Sequence, residues 1–186
     1  PSSSLPCVAF LARACVVSPR LRSPAAVPPF LVAHPRASGA APPWICPLDF
    51  FGHAPPSVLA LLARGWHVAY MDAKHMSGSP HAMALFGQFY APVTVHLGLA
   101  QRVVLECFSR GGLYSVNFAA AHPARVAALY LDAPVLDIRS WPGRNRAAKE
   151  WAECLDAYGL TETSLAECRR NPTDRAADFA PAQTPV

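Results

Sequence analysis

Ser109 follows an apolar run, Val103-Val104-Leu105-Glu106-Cys107-Phe108, and precedes Arg110-Gly111-Gly112. The run reads as a buried strand, and Gly111 to Ala121 as the helix after it. A serine on a tight corner between strand and helix is the geometry of a nucleophile elbow. Such a corner lifts the hydroxyl clear of the sheet, and the chemistry it suggests is acyl transfer through an acyl-serine. The corner needs small residues two before and two after the serine, because side chains there would collide and the serine backbone is itself strained. Cys107 and Gly111 fill those places. Glycine is usual at the first, so Cys107 is a small departure. The helix that opens at Arg110 aims its N-terminal dipole and free amides at the serine oxygen. The Arg110 backbone N–H is the candidate oxyanion donor, a contribution of roughly 3–4 kcal/mol per donor. A second donor is expected from a loop amide, near His34 to Trp44 or at Phe51.

A serine hydroxyl is a poor nucleophile without an adjacent base. Only His122 follows Ser109 in the chain, and it falls at the far end of the helix leaving the corner. His53 and His75 fall in loops expected to cross the active edge. For His53 a loop-fixing or substrate-shaping role is favoured, with the base as the lesser candidate role. Asp132 ends a strand and is an alternative acid, weighed against a role in holding the Ala133-Pro134 turn. Glu106 is expected to meet Arg102 or Arg110, or to face a polar pocket. Tyr114 and Trp141 are candidates to line an acyl or sugar pocket, with aromatic core as the ordinary alternative. The six cysteines, Cys7, Cys15, Cys46, Cys107, Cys154 and Cys168, include no CxxC pair, so zinc and redox readings lack support. Buried free thiols are expected, with a Cys154–Cys168 bridge open only in an oxidising compartment. No Gly-rich phosphate loop is present. The chemistry calls for no cofactor and no metal.

The elements that would position these residues alternate along the chain. Phe30 to His34 reads as a first core strand, Pro55 to Gly65 as a helix, and Trp66 to Met71 as a strand ending at Asp72. Ser77 to Pro80 is a polar loop leading to a helix over about 81–97, which Pro92 should kink or divide. Arg102 to Cys107 and Val126 to Leu131 complete the strands. Strand and helix at this spacing imply right-handed crossovers and a mostly parallel sheet covered on both faces. Chemistry in such a sheet collects at the carboxyl ends of strands, where Asp72, Ser109 and Asp132 all fall. Residues 137–180 are more polar, with helices expected near 147–158 and 162–170, and are read as a cap. The fold class is therefore α/β, with an irregular Pro-rich segment at 1–28, a core at 29–136 and a helical cap at 137–186.

Composition sets outer limits. The chain has 186 residues, 52% hydrophobic and 15% charged, with a net charge of +4. That suits one globular domain and argues against wholesale disorder. No basic run is interleaved with aromatics, so nucleic acid is not an expected partner. No apolar run reaches the roughly 20 residues of a membrane span. Leu5 to Val17, interrupted by Arg13, could be the tail of a signal or transit segment. Secreted and cytoplasmic locations both stay open.

From about Trp44 onward the chain resembles α/β-hydrolase-fold proteins of bacterial type that act as serine hydrolases or esterases. The resemblance rests on Phe50-Phe51-Gly52-His53, Gly65 to Asp72, Gly78-Ser79-Pro80 and Leu105 to Leu113. It extends through Asp132-Ala133-Pro134-Val135, Asp137 to Gly143, Tyr158 to Glu162 and Asn171-Pro172. It implies Ser109 as nucleophile on a small-molecule ester, carbohydrate esters included. It also implies a further strand, a turn bearing the catalytic acid, a final strand and a loop bearing the histidine. Pro185-Val186 stands where that next strand would begin, so the expectation is a chain that stops before the acid and the histidine. Two readings of function follow: a serine hydrolase whose triad is incomplete in this chain, or a catalytically inactive hydrolase-like module or partial gene product.

Overall fold

Phe30-Leu31-Val32-Ala33-His34 and Trp44-Ile45-Cys46-Pro47-Leu48 are apolar runs too short for a helix, and both are strands in the computed structural model, which describes residues 16–19, 30–35, 40–51 and 55–179. The elements in chain order are β1 (Val16–Pro19), β2 (Phe30–His34), β3 (Trp44–Leu48), α1 (Pro55–Ala63), β4 (His67–Met71), α2 (Pro80–Ala91), β5 (Val103–Phe108), α3 (Gly111–Ala121), β6 (Val126–Asp132) and α4 (Lys149–Tyr158). They form one six-stranded sheet in the order β1-β2-β4-β3-β5-β6. The run β4-β3-β5-β6 is parallel, while β1 and β2 pair antiparallel at one flank. The sheet is thus mostly parallel, as the strand–helix alternation predicts.

Two strands differ from the sequence reading. β1 lies within 1–28, the stretch expected to be mostly irregular, whose other residues fall outside the described ones. β3 was hidden by its proline, since proline cannot donate to a ladder and argues against a central strand. All five β3 residues are buried. Its pairs with β4 are Trp44–His67 and Ile45–Val68, so Pro47 falls beyond them, opposite Glu106 of β5. The sheet there accommodates a residue without an N–H.

Helices cover both faces, which is why the parallel strands read as continuous apolar runs. On one face Ala33, Ile45 and Val68 pack with Val58 and Leu62 of α1. On the other, Trp44, Met71 and Leu105 pack with Phe86 and Phe89 of α2, Phe118 of α3 and Trp151 of α4. Ser79 caps α2, its hydroxyl accepting from the Ala82 amide at 3.3 Å, and Pro80 fits the first turn. Pro92 ends α2 as expected, and a π-helical turn, Pro92–His96, follows. α4 matches the predicted helix and stops at Gly159, which takes φ 62°. The helix expected at 162–170 is instead a single 3₁₀ turn, Ser164–Glu167. Side chains there bond locally, Ser164 Oγ accepting from the Thr161 amide at 2.9 Å, and such bonds compete with a longer helix.

Residues 137–179 are not a detached flap. Trp151, Cys154 and Tyr158 enter the main core, and Tyr158 donates its hydroxyl to the Ser77 carbonyl at 3.0 Å. The segment therefore rests on the loop between β4 and α2, at the carboxyl edge of the sheet.

Candidate active site

β5 lies between β3 and the edge strand β6, is mostly buried, and delivers Ser109 at its carboxyl end, where α3 begins two residues later. Ser109 has φ 51°, a left-handed value that a non-glycine residue adopts only when its surroundings over-determine it. Those surroundings are visible. The Ser109 amide donates to the Asp132 carbonyl at 3.0 Å, and its own carbonyl accepts from Val135 at 2.7 Å and from Gly112 at 3.1 Å. A Cβ on Gly111 would sit 2.7 Å from the Leu48 carbonyl oxygen and 2.9 Å from the Cys107 Cβ. The corner thus requires glycine at 111 and a small residue at 107, as the spacing predicts. The first amides of α3, at Arg110 and Gly111, lack helical acceptors.

The strain at Ser109 is not isolated. Asp49 (φ 73°) and Ala133 (φ 45°) directly follow β3 and β6, and His75 (φ 65°) and Ser77 (φ 46°) lie in the loop after β4. Three neighbouring parallel strands therefore end directly in left-handed backbone at the same edge, and the loop after the fourth contains more of it. Asp49 is the centre of a tight turn in which the Phe50 amide bonds the Leu48 carbonyl at 3.1 Å, a γ-turn of the strained kind.

The side chain of Asp49 is fully buried and forms an ion pair with Arg110. Arg110 Nε donates to Asp49 Oδ2, and Nη2 to Oδ1 at 3.3 Å. The guanidinium lies 5.1 Å from the centre of the Phe50 ring and 5.9 Å from that of Trp141. Burial works against the Arg110 charge, but the hydrogen bond and charge of Asp49 outweigh it and raise its pKa. Sequence reasoning missed this pair. Its signal was Asp49 itself, the first acid in the chain, set directly after an apolar run.

The remaining candidates are distributed as follows. Asp132 is exposed at the end of β6, and its backbone carbonyl is what braces the Ser109 amide. His53 lies outside the described residues. His122 ends α3 against Phe118, ring centres 4.8 Å apart, at the end away from Ser109. His34 and His67 face each other 5.0 Å apart at the amino edge of β4, since β2 runs against β4. That direction also corrects the expected donor loop: His34 and Trp44 both lie at this amino edge, and the loop beside Ser109 is the one after β3, beginning at Asp49. Of the alternatives for Glu106, the pairing with Arg102 or Arg110 is not the one formed: Glu106 is buried and accepts from Ser57 Oγ at 2.9 Å, and Arg102 donates to the Val126 carbonyl. Tyr114 is core, donating to the Ala73 carbonyl at 2.8 Å, whereas Trp141 is half-buried beside Arg110. Cys46, Cys107, Cys154 and Cys168 are buried free thiols. His75 Nδ1 lies 2.8 Å from Glu153 Oε2 of α4, an exposed histidine–carboxylate pair. Bonds from Lys149 and His75 hold the Glu153 carboxyl below its ordinary range.

Two cavities lie away from the serine. One of about 350 Å³ is bounded by Tyr90, Thr94, Gln101 and Arg125. Another of about 400 Å³ is bounded by Gly78, Asn117, Tyr158 and Arg170. No helix among the described residues is long and apolar enough to cross a membrane.

No known family model matches the chain, and no curated protein sequence does. Solved structures do. FphF, a fluorophosphonate-binding serine hydrolase of Staphylococcus aureus, superposes with a TM-score of 0.69 at 11% identity, over 91% of this chain and 75% of that one. MPT51 of Mycobacterium tuberculosis gives 0.70 at 17% identity, over 92% and 72%. Esterase B from Lactobacillus rhamnosis, solved with a tributyrin phosphonate, gives 0.58 at 14% identity, over 92% and 66%.

The chain has an α/β-hydrolase fold.

In an α/β-hydrolase the nucleophile stands on a strand-to-helix turn at the top of the sheet, and the oxyanion donors are the amide after it and one from the loop that follows β3. Ser109 stands on such a turn here, between β5 and α3, with Asp49 of the loop after β3 paired to Arg110 beside it.

Proposed function

We propose that the protein is a serine hydrolase acting on an ester or related acyl bond of a small molecule, with Ser109 as nucleophile. The observation that carries the reading is the left-handed Ser109 between β5 and α3. Ser109 Oγ attacks the carbonyl carbon while its proton passes to a base. The Arg110 amide and an amide of the loop after β3 take the oxyanion. Collapse of the tetrahedral intermediate expels the alcohol, which takes up the proton, and leaves an acyl-serine that water then cleaves. The base in this reading is a histidine, as the family resemblance implies; His53 is a lesser candidate for it within the chain, and Asp132 an alternative acid. Residues 137–186 act as the cap over the acyl site, where half-buried Trp141 offers an aromatic face to a carbohydrate ester.

A second reading, an idle hydrolase-like module, is favoured by one observation: the Ser109 hydroxyl has no hydrogen-bond partner among the described residues. Hydrolysis of p-nitrophenyl acetate separates the two. The serine-hydrolase reading predicts turnover that Ser109→Ala lowers by about three orders of magnitude or more. Turnover equal in both proteins, or absent from both, favours the idle module.

A further inference from the structure

We propose that the Asp49–Arg110 ion pair is the positioning device of the oxyanion site, fixing the loop after β3 against the corner that carries Ser109. The proposal rests on the serine-hydrolase reading and deepens it.

The two donors in that reading come from the segments of Asp49 and Arg110, which stand 61 residues apart in sequence. Their separation must stay constant while charge builds on the substrate oxygen, because preorganised donors are effective only if nothing has to move. Leu48 pairs with Cys107 in the sheet, and the Leu48 carbonyl touches the corner at Gly111. Beyond Leu48 the sheet no longer holds the chain. Asp49 turns at φ 73°, a conformation with an intrinsic cost for a non-glycine residue. The next contact to the corner is the two-pronged one from Arg110 to both Asp49 carboxylate oxygens. It is made by the residue whose own amide is the other donor. A planar guanidinium fixes direction as well as distance, which a lysine ammonium does not.

The geometry extends past the pair. Phe50 packs under the guanidinium and, edge-on, against Phe108 of β5 at 5.5 Å between ring centres. Trp141, from the segment after β6, approaches the same guanidinium. The Tyr70 hydroxyl lies 3.5 Å from the Asp49 carbonyl. One part-buried charge pair thus joins the β3 loop, the serine corner and the segment after β6. Its charge is neutralised by Asp49, so Arg110 is not a ready anchor for an acidic substrate. The role that fits it is to hold amides in place. It is a positioning residue through its side chain, and touches the reaction only through its backbone.

The test uses Arg110→Lys, which keeps the charge and loses the fork, and Asp49→Leu/Arg110→Met, which removes both charges and keeps the packing volume. Each is compared with the unmutated chain for thermal melting, for the rate of fluorophosphonate adduct formation, and for kcat and KM on p-nitrophenyl acetate. The expected result is a fall in adduct rate and kcat of about 10- to 100-fold, with KM within about twofold because the oxyanion forms only in the transition state. The double variant melts close to the unmutated chain and is nevertheless slow. Folded variants with unchanged adduct rate and kcat overturn the proposal and leave the Ser109 reading intact. A rise in KM with kcat unchanged also overturns it, since the pair would then serve ground-state binding. No adduct in the unmutated chain overturns the serine-hydrolase reading, and the positioning role with it.

Discussion

Ser109 and Asp49 hold backbone angles that cost free energy, and each is held there by neighbours with no room to spare. Two residues on from Ser109, a Cβ at Gly111 would sit 2.7 Å from the Leu48 carbonyl oxygen. Gly111→Ala should therefore destabilise the fold by about 1–3 kcal/mol, the usual cost of overpacking, and should slow any Ser109 chemistry by tilting the corner. Urea denaturation checks the first effect, and an unchanged midpoint would contradict the close approach. At the opposite edge, His67 is buried with Nδ1 unpartnered, and burial together with the facing His34 lowers its pKa to about 4. Its free form is the one the fold accepts. Above the unfolded value near 6.5 both states are neutral there, so His67 takes nothing from stability; as pH falls from 6.5 toward 4 the unfolded chain gains the proton first and stability drops. His34 and His122, also shifted downward by burial, act in the same direction. His67→Leu should flatten the fall in stability between pH 6.5 and 4.5, measured as urea midpoints. An equal fall in both proteins would assign the pH dependence elsewhere. Ser109, Gly111 and Cys107 were legible in the sequence because a tight corner demands residue types at fixed spacing. The Asp49–Arg110 pair was not, since partners 61 residues apart leave no local pattern.

The elements most readily read were those with a strong local signal. Pro80 and Ser79 open α2, Pro92 closes it, and Gly159 closes α4; each acts through its own backbone, so each was visible in the chain alone. β3 was not, because Pro47 is a signal against a central strand and only the pairing with β5 outweighs it. The helix expected at 162–170 is only the 3₁₀ turn Ser164–Glu167, because local side-chain bonds stop it after one turn. α4 depends on tertiary contact more than on propensity: Trp151 is 2% exposed and inserts into the core shared with α2 and α3. Trp151→Ala should cost about 3–5 kcal/mol and loosen the 137–179 segment from the β4–α2 loop. Calorimetric melting checks the stability, and faster proteolysis within 137–179 checks the loosening. A loss below about 1 kcal/mol would mean that the helix is anchored by other contacts.

For the whole molecule, what matters is that four parallel strands end at one edge and that the strain collects there. The strand–helix alternation made the parallel core legible, and with it the expectation that chemistry sits at the carboxyl ends. The antiparallel flank of β1 and β2 was beyond a local reading, because strand direction depends on which edge a connection returns to. The solved structures that superpose on the chain share its fold at 11–17% identity, so activity must be tested on the chain itself. The most direct measurement is intact-mass analysis after incubation with a fluorophosphonate, followed by peptide mapping. The account predicts a single phosphonyl adduct on Ser109 that is lost in folded Ser109→Ala. An unmodified chain, or an adduct mapped to any other residue, would contradict it.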